Sequence, residues 1–186
     1  MKSLLILGAG GFGRMVKETA QALGYEKVVF LDDAVKSDDV IGMCCDYVIW
    51  HEEYPVAVAA FGNNKTRLYW TDKLLEEGYE VPAIVHPSAI VSPSAVLEPG
   101  CFVMQRAVVN THTKIERAVL VNSGAIVDHG SSVGAGAHIG LGSVVKSDCV
   151  IESGRKVEAG EVIFSTRRKI EGVDSRSLED AVYAFG

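Results

Sequence analysis

Aliphatic residues recur at every sixth position over the second half of the chain. Counting from Val85, each step of six ends on Val, Leu or Ile as far as Ile163, without an exception. Four residues after each of these aliphatics, from Ala89 to Cys149, the side chain is small or β-branched. Neither the period of an α-helix nor that of a flat strand explains a strict six. A parallel β-helix does, because each short strand points one aliphatic residue inward and a small residue fits the corner that follows.

The same pattern sets the extent of the predicted β-helix. With three strands to a turn, the segment from Val85 to Ile163 makes about four coils, and residues eighteen apart lie on successive coils. Arg155 and Glu161 then take the place of small residues, so we expect the coil to close there. The chain ends in a capping-box pattern at residues 177–180, which predicts a short helix that caps the last coil.

The first eighty or so residues are organised differently, with strand-like runs that lead into helix-like stretches. Strands are predicted at Ser3–Leu7, Lys27–Leu31 and Val56–Phe61, and helices at Arg14–Leu23 and Lys65–Glu77. Strands that alternate with helices are typical of a parallel sheet covered by helices.

These patterns divide the chain into three parts. We expect an α/β domain at residues 1–81, a parallel β-helix at residues 82–163 and a C-terminal cap at residues 164–186.

Charge and hydropathy exclude several classes of partner. The net charge is −6, from 18 basic and 24 acidic residues, so we expect no binding to nucleic acid or to an anionic membrane. No apolar run is long enough to span a bilayer, and the first residues break into glycine before they form a signal peptide, which predicts a cytoplasmic protein. The cysteines lack the spacing of a metal site and are predicted to be free thiols: Cys44, Cys45, Cys101 and Cys149.

Five segments carry a family resemblance when they are taken in order. GAGGFGR, FLDD, FGNN, HPSAIVSPSAVLEPG and VNSGAIVDHGSSVGAGAHIG resemble the NeuD/PglD-type sugar acetyltransferases, and the resemblance runs from about Lys2 to Val145. It implies a Rossmann-like domain that binds a nucleotide sugar, followed by a left-handed parallel β-helix that forms a homotrimer. It also implies acetyl-CoA as co-substrate, no metal, and N-acetylation of a UDP- or GDP-linked 4-amino sugar for surface glycan synthesis.

The glycine loop at residues 8–13 fits the pattern GxGxxG between a strand and a helix, where backbone N–H groups approach phosphate oxygens. A domain of this size holds one mononucleotide-binding half, which favours a nucleotide sugar over NAD. A glycine turn that only packs a helix on a sheet is the alternative. The resemblance implies ligand contacts at these positions: Gly10, Gly11, Asp32, Asp33, Gly62 and Asn63. Phe12 stands where many family members have histidine.

His129 follows an inward aliphatic by two positions, so its side chain is predicted to point to the surface, with Thr111 below it and Ser147 above. A neutral imidazole there is suited to general-base catalysis. The resemblance implies that role for His129 and places His138 near the thioester, often across a subunit boundary. An oxyanion would be stabilised by the His138 ring or by a backbone N–H such as that of Gly136 or Gly142.

Asn122 also matches a family position that lines the site, and a turn residue at a coil corner is the alternative interpretation. The chain departs from the family at Gly130, where many relatives have Asp or Glu directly after the catalytic histidine. Either Ser131, a backbone carbonyl or a water then orients His129, or turnover is impaired. The C-terminus is short, so the basic run at residues 167–169 either meets the CoA phosphates or is a solvated charge run.

Three other functions were weighed against transfer to an amino group. A zinc site of the kind found in trimeric β-helix carbonic anhydrases disagrees with the spacing of His112, His129 and His138. The other two remain open from the sequence: an O-acetyltransferase that acts on sialic-acid-type sugars, and a homologue that binds a nucleotide sugar without catalysis.

Overall fold

The structure, a computed structural model, describes residues 2–164. The predicted C-terminal helix and the basic run at residues 167–169 lie outside the described residues.

The N-terminal part is a four-stranded parallel sheet with the strand order β3-β2-β1-β4. Its elements are β1 (Ser3–Leu7), α1 (Gly11–Ala22), β2 (Lys27–Leu31), β3 (Val40–Gly42), a 3₁₀ turn (Cys44–Asp46), α2 (Tyr47–Trp50), β4 (Ala57–Ala59) and α3 (Asn64–Glu76). The predicted bounds of β1 and β2 are confirmed, and both strands pack in the apolar core. Helix α1 begins three residues before the predicted start, because the glycine loop itself passes directly into the helix.

The segment between residues 40 and 50 was not predicted to contain regular structure. It holds β3, the 3₁₀ turn and α2. These elements have three or four residues each, and neither β3 nor α2 contains a fully buried residue, so no hydrophobic period marks them.

The second part is a parallel β-helix of two-residue strands, as predicted. The first face contains β5 (Ile84–Val85), β8 (Phe102–Val103), β11 (Leu120–Val121), β14 (His138–Ile139) and β17 (Lys156–Val157). The second face contains β6 (Ile90–Val91), β9 (Val108–Val109), β12 (Ile126–Val127), β15 (Val144–Val145) and β18 (Val162–Ile163). The third face contains β7 (Val96–Leu97), β10 (Lys114–Ile115), β13 (Ser132–Val133) and β16 (Val150–Ile151).

Each strand pairs with the strand eighteen residues away, which confirms the predicted stacking; Ser132, for example, pairs with Lys114 and with Val150. The predicted inward aliphatics form one core with the small residues of the corners. Polar members of the corner series satisfy their hydroxyl groups internally. Ser131 Oγ donates to the Lys146 carbonyl oxygen at 2.9 Å, and Ser143 Oγ donates to that of Gly140 at 2.8 Å.

The turns show a third six-residue series that the sequence analysis did not identify. Three positions after an inward aliphatic, every turn from residue 100 to residue 160 has a positive φ angle. Most of these positions hold glycine, which adopts this left-handed conformation without steric cost. The members of the series are Gly100, Arg106, His112, Ala118, Gly124, Gly130, Gly136, Gly142, Asp148, Gly154 and Gly160.

The register predicts opposite outcomes for two single substitutions, one at Val133 and one at Ser132. Val133 is 0% exposed inside the β-helix, so Val133→Asp buries a carboxylate among aliphatic side chains and should abolish folding. Ser132→Asp is the matched control, because it adds the same group one residue earlier, on the outer side of the same strand beside Lys114. Circular dichroism melts should show a cooperative transition for Ser132→Asp alone. A cooperative melt for Val133→Asp would show that its side chain does not point inward.

Candidate active site

His129 lies at the corner between the second and third faces, and its side chain is exposed. Its backbone N–H donates to Asp128 Oδ1 at 2.8 Å, and the same oxygen accepts a hydrogen bond from Asn110 Nδ2 at 3.0 Å. The hydrogen bond from His129 holds the pKa of Asp128 below its usual value, so this carboxylate is ionised beside the imidazole at neutral pH. Asp128 thus holds the His129 backbone in place.

Gly130 follows His129 in the left-handed turn series, with φ +68°. The residue one coil above it is Asp148, whose own backbone N–H donates to the His129 carbonyl oxygen at 3.0 Å. A Cβ atom added to Gly130 would overlap with Asp148 Oδ1. A carboxylate from the next coil therefore occupies the space beside Gly130.

Ser131 does not orient the His129 ring. It is 1% exposed, and its hydroxyl oxygen lies in the interior, where it donates to Lys146 O and accepts from Cys149 N. The prediction that named Ser131 as an orienting residue is wrong, because Ser131 belongs to the inward corner series.

His138 lies on the first face, above Leu120, and its imidazole is half-buried. Asn122 Nδ2 is 3.1 Å from His138 Nε2, and Asn122 Oδ1 accepts the Ser123 N–H at 2.9 Å. That second bond orients the amide, so that its NH₂ group faces the ring. Since an amide NH₂ only donates, Nε2 accepts and the proton of the neutral imidazole lies on Nδ1.

Burial is the main reason why His138 stays neutral. Together with the charges of Arg67 and Lys156, it lowers the pKa of His138 to about 4, although Glu158 acts in the opposite direction. The Asn122–His138 pair thus presents a neutral ring with one N–H donor at Nδ1. This is the group that a developing oxyanion requires.

Neither glycine proposed as an oxyanion donor has a free backbone N–H. The Gly136 N–H donates to the Arg117 carbonyl oxygen at 2.9 Å, and the Gly142 N–H donates to that of Ser123 at 3.0 Å. Gly136 is also buried against Leu68 of α3. The oxyanion role predicted for these two N–H groups is therefore wrong, because both hold successive coils together. Gly142 remains exposed at the corner near Asn122, with nothing within 4 Å of a Cβ atom there.

In the N-terminal part, the glycine loop leaves open space before α1. A Cβ atom on Gly10 or Gly11 would meet nothing within 4 Å, and no side chain caps the helix at Gly10. Gly13 has a different reason to be glycine: a Cβ atom there would overlap with the Gly8 carbonyl oxygen, so it permits close packing of α1 on the strand end. Phe12 packs edge-to-face on Phe102 of the β-helix, with ring centroids 5.1 Å apart.

The two aspartates after β2 differ in how they use their carboxylates. Asp32 accepts the Ala9 N–H at 2.7 Å on one oxygen and the N–H groups of Ala34 and Val35 on the other. Burial alone would raise the pKa of Asp32, but these three hydrogen bonds lower it. Asp32 therefore fixes the glycine loop to the loop after β2. Asp33 is exposed and accepts the Cys44 N–H at 2.9 Å.

Both aspartates border a pocket of about 550 Å³. The rest of its lining comes from residues 35–37 and 40–43. A pocket of this volume holds a small-molecule group, and its lining includes Asp32, which bonds to the glycine loop through the Ala9 N–H.

Gly62 and Asn63 lie between β4 and α3. Gly62 is exposed, and a Cβ atom there would meet nothing within 4 Å. Asn63 is the N-cap of α3, because its Oδ1 accepts the Thr66 N–H at 3.0 Å. Asn63 therefore shapes the start of the helix, and its amide NH₂ is the part of the side chain suited to a ligand contact.

Arg67 in helix α3 is a further residue of the site region. Its side chain is 0% exposed and donates to backbone oxygens of both parts of the chain. One arginine within a helical stripe gives no periodic signal, so it was not predicted.

Residues 2–164 include no cluster of three or more His, Cys, Asp or Glu side chains that would hold a metal ion. Within the same residues, no helix has the length and apolar character needed to cross a membrane.

Comparisons with known proteins identify the family. A family model described as the PglD N-terminal domain matches residues 3–74. The acetyltransferase domain of PglB from Neisseria gonorrhoeae is 31% identical, with 88% of this chain and 92% of that chain covered and a TM-score of 0.73. The chain belongs to the NeuD/PglD-type family of acetyl-CoA-dependent sugar acetyltransferases. Its stacked parallel strands fit the left-handed β-helix of this family.

Two further structures of relatives contain ligands. PerB from Caulobacter crescentus, in complex with CoA and GDP-perosamine, is 28% identical, with 88% of this chain and 89% of that chain covered and a TM-score of 0.77. The PglB domain is also known in complex with acetyl coenzyme A, with a TM-score of 0.67 to this chain.

Gly130→Asp tests the environment beside His129. The left-handed turn should cost about 1–2 kcal/mol with a side chain other than glycine, and the new carboxylate would also repel Asp148. Gly130→Asn is the matched control, since asparagine tolerates this conformation and carries no charge. Urea unfolding at pH 7 should show that the Asp variant is less stable than the Asn variant. Equal free energies of unfolding would contradict the placement of the Asp148 carboxylate.

Proposed function

We propose that this enzyme transfers the acetyl group of acetyl-CoA to the amino group of a nucleotide-linked 4-amino sugar. The observation that carries the proposal is the Asn122–His138 pair, which holds a neutral imidazole with an N–H donor at Nδ1. His129, exposed on another corner, supplies the second group that acyl transfer needs.

The chemistry divides between the two histidines. The sugar amine attacks the thioester carbon while His129 accepts a proton from the amine, and His138 donates its Nδ1–H to the carbonyl oxygen as negative charge develops there. The C–S bond then breaks, and the proton passes from His129 to the sulfur, so that CoA leaves as a thiol. Asp128, held beside His129, favours the imidazolium that forms during transfer.

The N-terminal part, residues 1–81, is proposed to be a Rossmann-like domain for the nucleotide sugar. Its phosphates would approach the uncapped start of α1 at Gly10 and Gly11, where nothing fills the space. Asp33 and Gly62 are proposed as further contacts, while Asp32 and Asn63 hold the loops that make them. The β-helix, residues 82–163, provides the acetyl-CoA groove. PerB, which holds CoA together with GDP-perosamine, supports the pairing of these two kinds of ligand in one enzyme.

One chain does not bring the two histidines together. His129 lies at the corner between the second and third faces. Asn122, whose amide contacts His138, lies at the corner between the first and second faces. The remaining corner, between the third and first faces, is covered by α3, whose Arg67 and Leu68 contact Gly136. The second face therefore separates the two halves of the site within one chain.

A homotrimer would join them. The outward residues of the second face are all aliphatic: Ile90, Val108, Ile126, Val144 and Val162. If three copies direct this face toward a common axis, the Asn122 corner of one copy lies next to the His129 corner of its neighbour. We propose that the active site, with Gly142 at its edge, forms at that boundary.

The transfer reaction is tested by thiol release from acetyl-CoA with UDP- and GDP-linked 4-amino sugars. His129→Ala should lower kcat by about a hundredfold to ten-thousandfold, the range for loss of a positioned general base. His86→Asn is the control, because it removes an imidazole from the first coil, where His86 bonds to Ser88. Unchanged turnover of His129→Ala at saturating substrates would remove this residue from the mechanism.

Absence of thiol release by the wild-type enzyme with every amino sugar would overturn the proposed function. Binding of the sugar without thiol release would indicate a non-catalytic homologue.

The trimer has its own test at Ile126, which is 37% exposed on the second face. Ile126→Lys should dissociate the trimer at micromolar concentrations, because three lysine side chains, one from each copy, would be buried close together at the axis. Leu75→Lys is the matched control, since Leu75 is equally exposed but lies on α3. Multi-angle light scattering should give the mass of three chains for the wild type and for Leu75→Lys. A monomeric wild-type protein would refute the trimer.

A further inference from the structure

Arg67 is a fully buried cation that bonds to both parts of the chain. Its Nη1 donates to the Phe61 carbonyl oxygen at 2.9 Å, at the end of the strand that leads into Gly62. Its Nη2 donates to the carbonyl oxygens of Gly136 at 2.9 Å and Ala137 at 3.1 Å, and its Nε donates to that of Ala118 at 2.8 Å. One guanidinium therefore holds the loop at residues 61–63 and the two residues directly before His138.

The partners of Arg67 are unusual for a buried charge. Its described hydrogen bonds all go to neutral oxygens, including Asn64 Oδ1 at 3.0 Å. Burial lowers the pKa of Arg67 to about 10, so the guanidinium remains charged at neutral pH. Apolar side chains would join two surfaces without the desolvation cost of a buried ion. Because a buried arginine carries this desolvation cost, we infer that the positions of the carbonyl groups it holds, and its charge, matter for the active site.

We propose that Arg67 is a positioning residue for acetyl transfer, which sets the backbone of His138 against the loop that borders the nucleotide-sugar side. The inference rests on the proposed function and deepens it, because it links the two halves of the reaction through one side chain. Arg67 contacts no substrate in this scheme. It acts on His138 through the carbonyl groups of Gly136 and Ala137.

The charge of Arg67 also acts on the His138 ring. The groups that influence this ring are Arg67 and Lys156, which with burial favour the neutral form, and Glu158, which favours the charged form. Loss of the guanidinium charge should therefore raise the pKa of His138 toward its ordinary value. A packing change that exposes the ring would raise this pKa in Arg67→Lys as well as in Arg67→Met, whereas loss of the charge acts only in Arg67→Met.

The test compares Arg67→Met, Arg67→Lys and a matched control in the full-length protein. Arg117→Met is the control, because Arg117 also joins the two parts, through an ion pair with Asp72 of α3 at 2.6 Å. Four quantities are measured: the His138 pKa from NMR titration of the ring, the dissociation constant of acetyl-CoA, and KM and kcat with the nucleotide sugar.

We expect Arg67→Met to raise the His138 pKa and to lower kcat at least tenfold, with a smaller change in KM for the sugar. Arg67→Lys keeps the charge but does not reach all the carbonyl groups, so it should keep the pKa low and restore kcat in part. Arg117→Met should leave the pKa and kcat unchanged. A folded Arg67→Met protein with a wild-type His138 pKa and wild-type kcat would overturn the proposal.

A measurement on the wild-type protein covers the case in which neither Arg67 variant folds. The Arg67 Nε–H signal should shift when acetyl-CoA is added, because the ligand engages the backbone that Arg67 holds; no shift at saturating acetyl-CoA would overturn the proposal. The pKa and binding measurements need no turnover. A wild-type enzyme without transfer activity would therefore defeat the proposed function while these readouts still decide the role of Arg67.

Discussion

Main-chain hydrogen bonds between successive coils hold the β-helix together, and the geometry of the site depends on them. Gly130 donates to Thr111 on the coil below, and Asp148 on the coil above donates to His129. Because every turn from Ala118 to Gly160 repeats this arrangement, the corner that carries His129 has a fixed height and direction relative to its neighbours. The interior of the β-helix packs aliphatic against small residues, and the outward residues Phe102 and Leu120 of the first face pack in the core of the N-terminal part.

The sequence allowed prediction of the β-helix register because one residue in six has to be aliphatic and one has to be small. The same rule predicted that His129 points outward, which is confirmed by its exposure. The rule did not predict that the Ser131 hydroxyl bonds inside the β-helix. Serine is small enough for the corner position whether its hydroxyl points inward or outward, so the sequence pattern is the same in both cases. It did not predict Arg67 either, because contacts between residues 51 to 70 positions apart leave no mark on a local pattern.

Gly130 shows how a departure from a family pattern acquires a physical meaning once the turn geometry is known. Its φ angle is set by the left-handed turn series, and Asp148 from the next coil lies over it. The corner therefore keeps an acidic group near His129, although the residue that follows the histidine is glycine. The carboxylate of Asp128 adds a second negative charge on the other side of the His129 backbone N–H.

The left-handed turns have a consequence for how such enzymes diversify. Four of these turns carry a side chain where glycine would fit without strain: Arg106, His112, Ala118 and Asp148. Ala118 is buried, but the side chains of Arg106, His112 and Asp148 are exposed, so their replacement does not require the interior to repack. Single substitutions at these three turns change the surface of a corner while the coil stays intact. The β-helix is thus a scaffold on which substrate preference evolves one corner at a time.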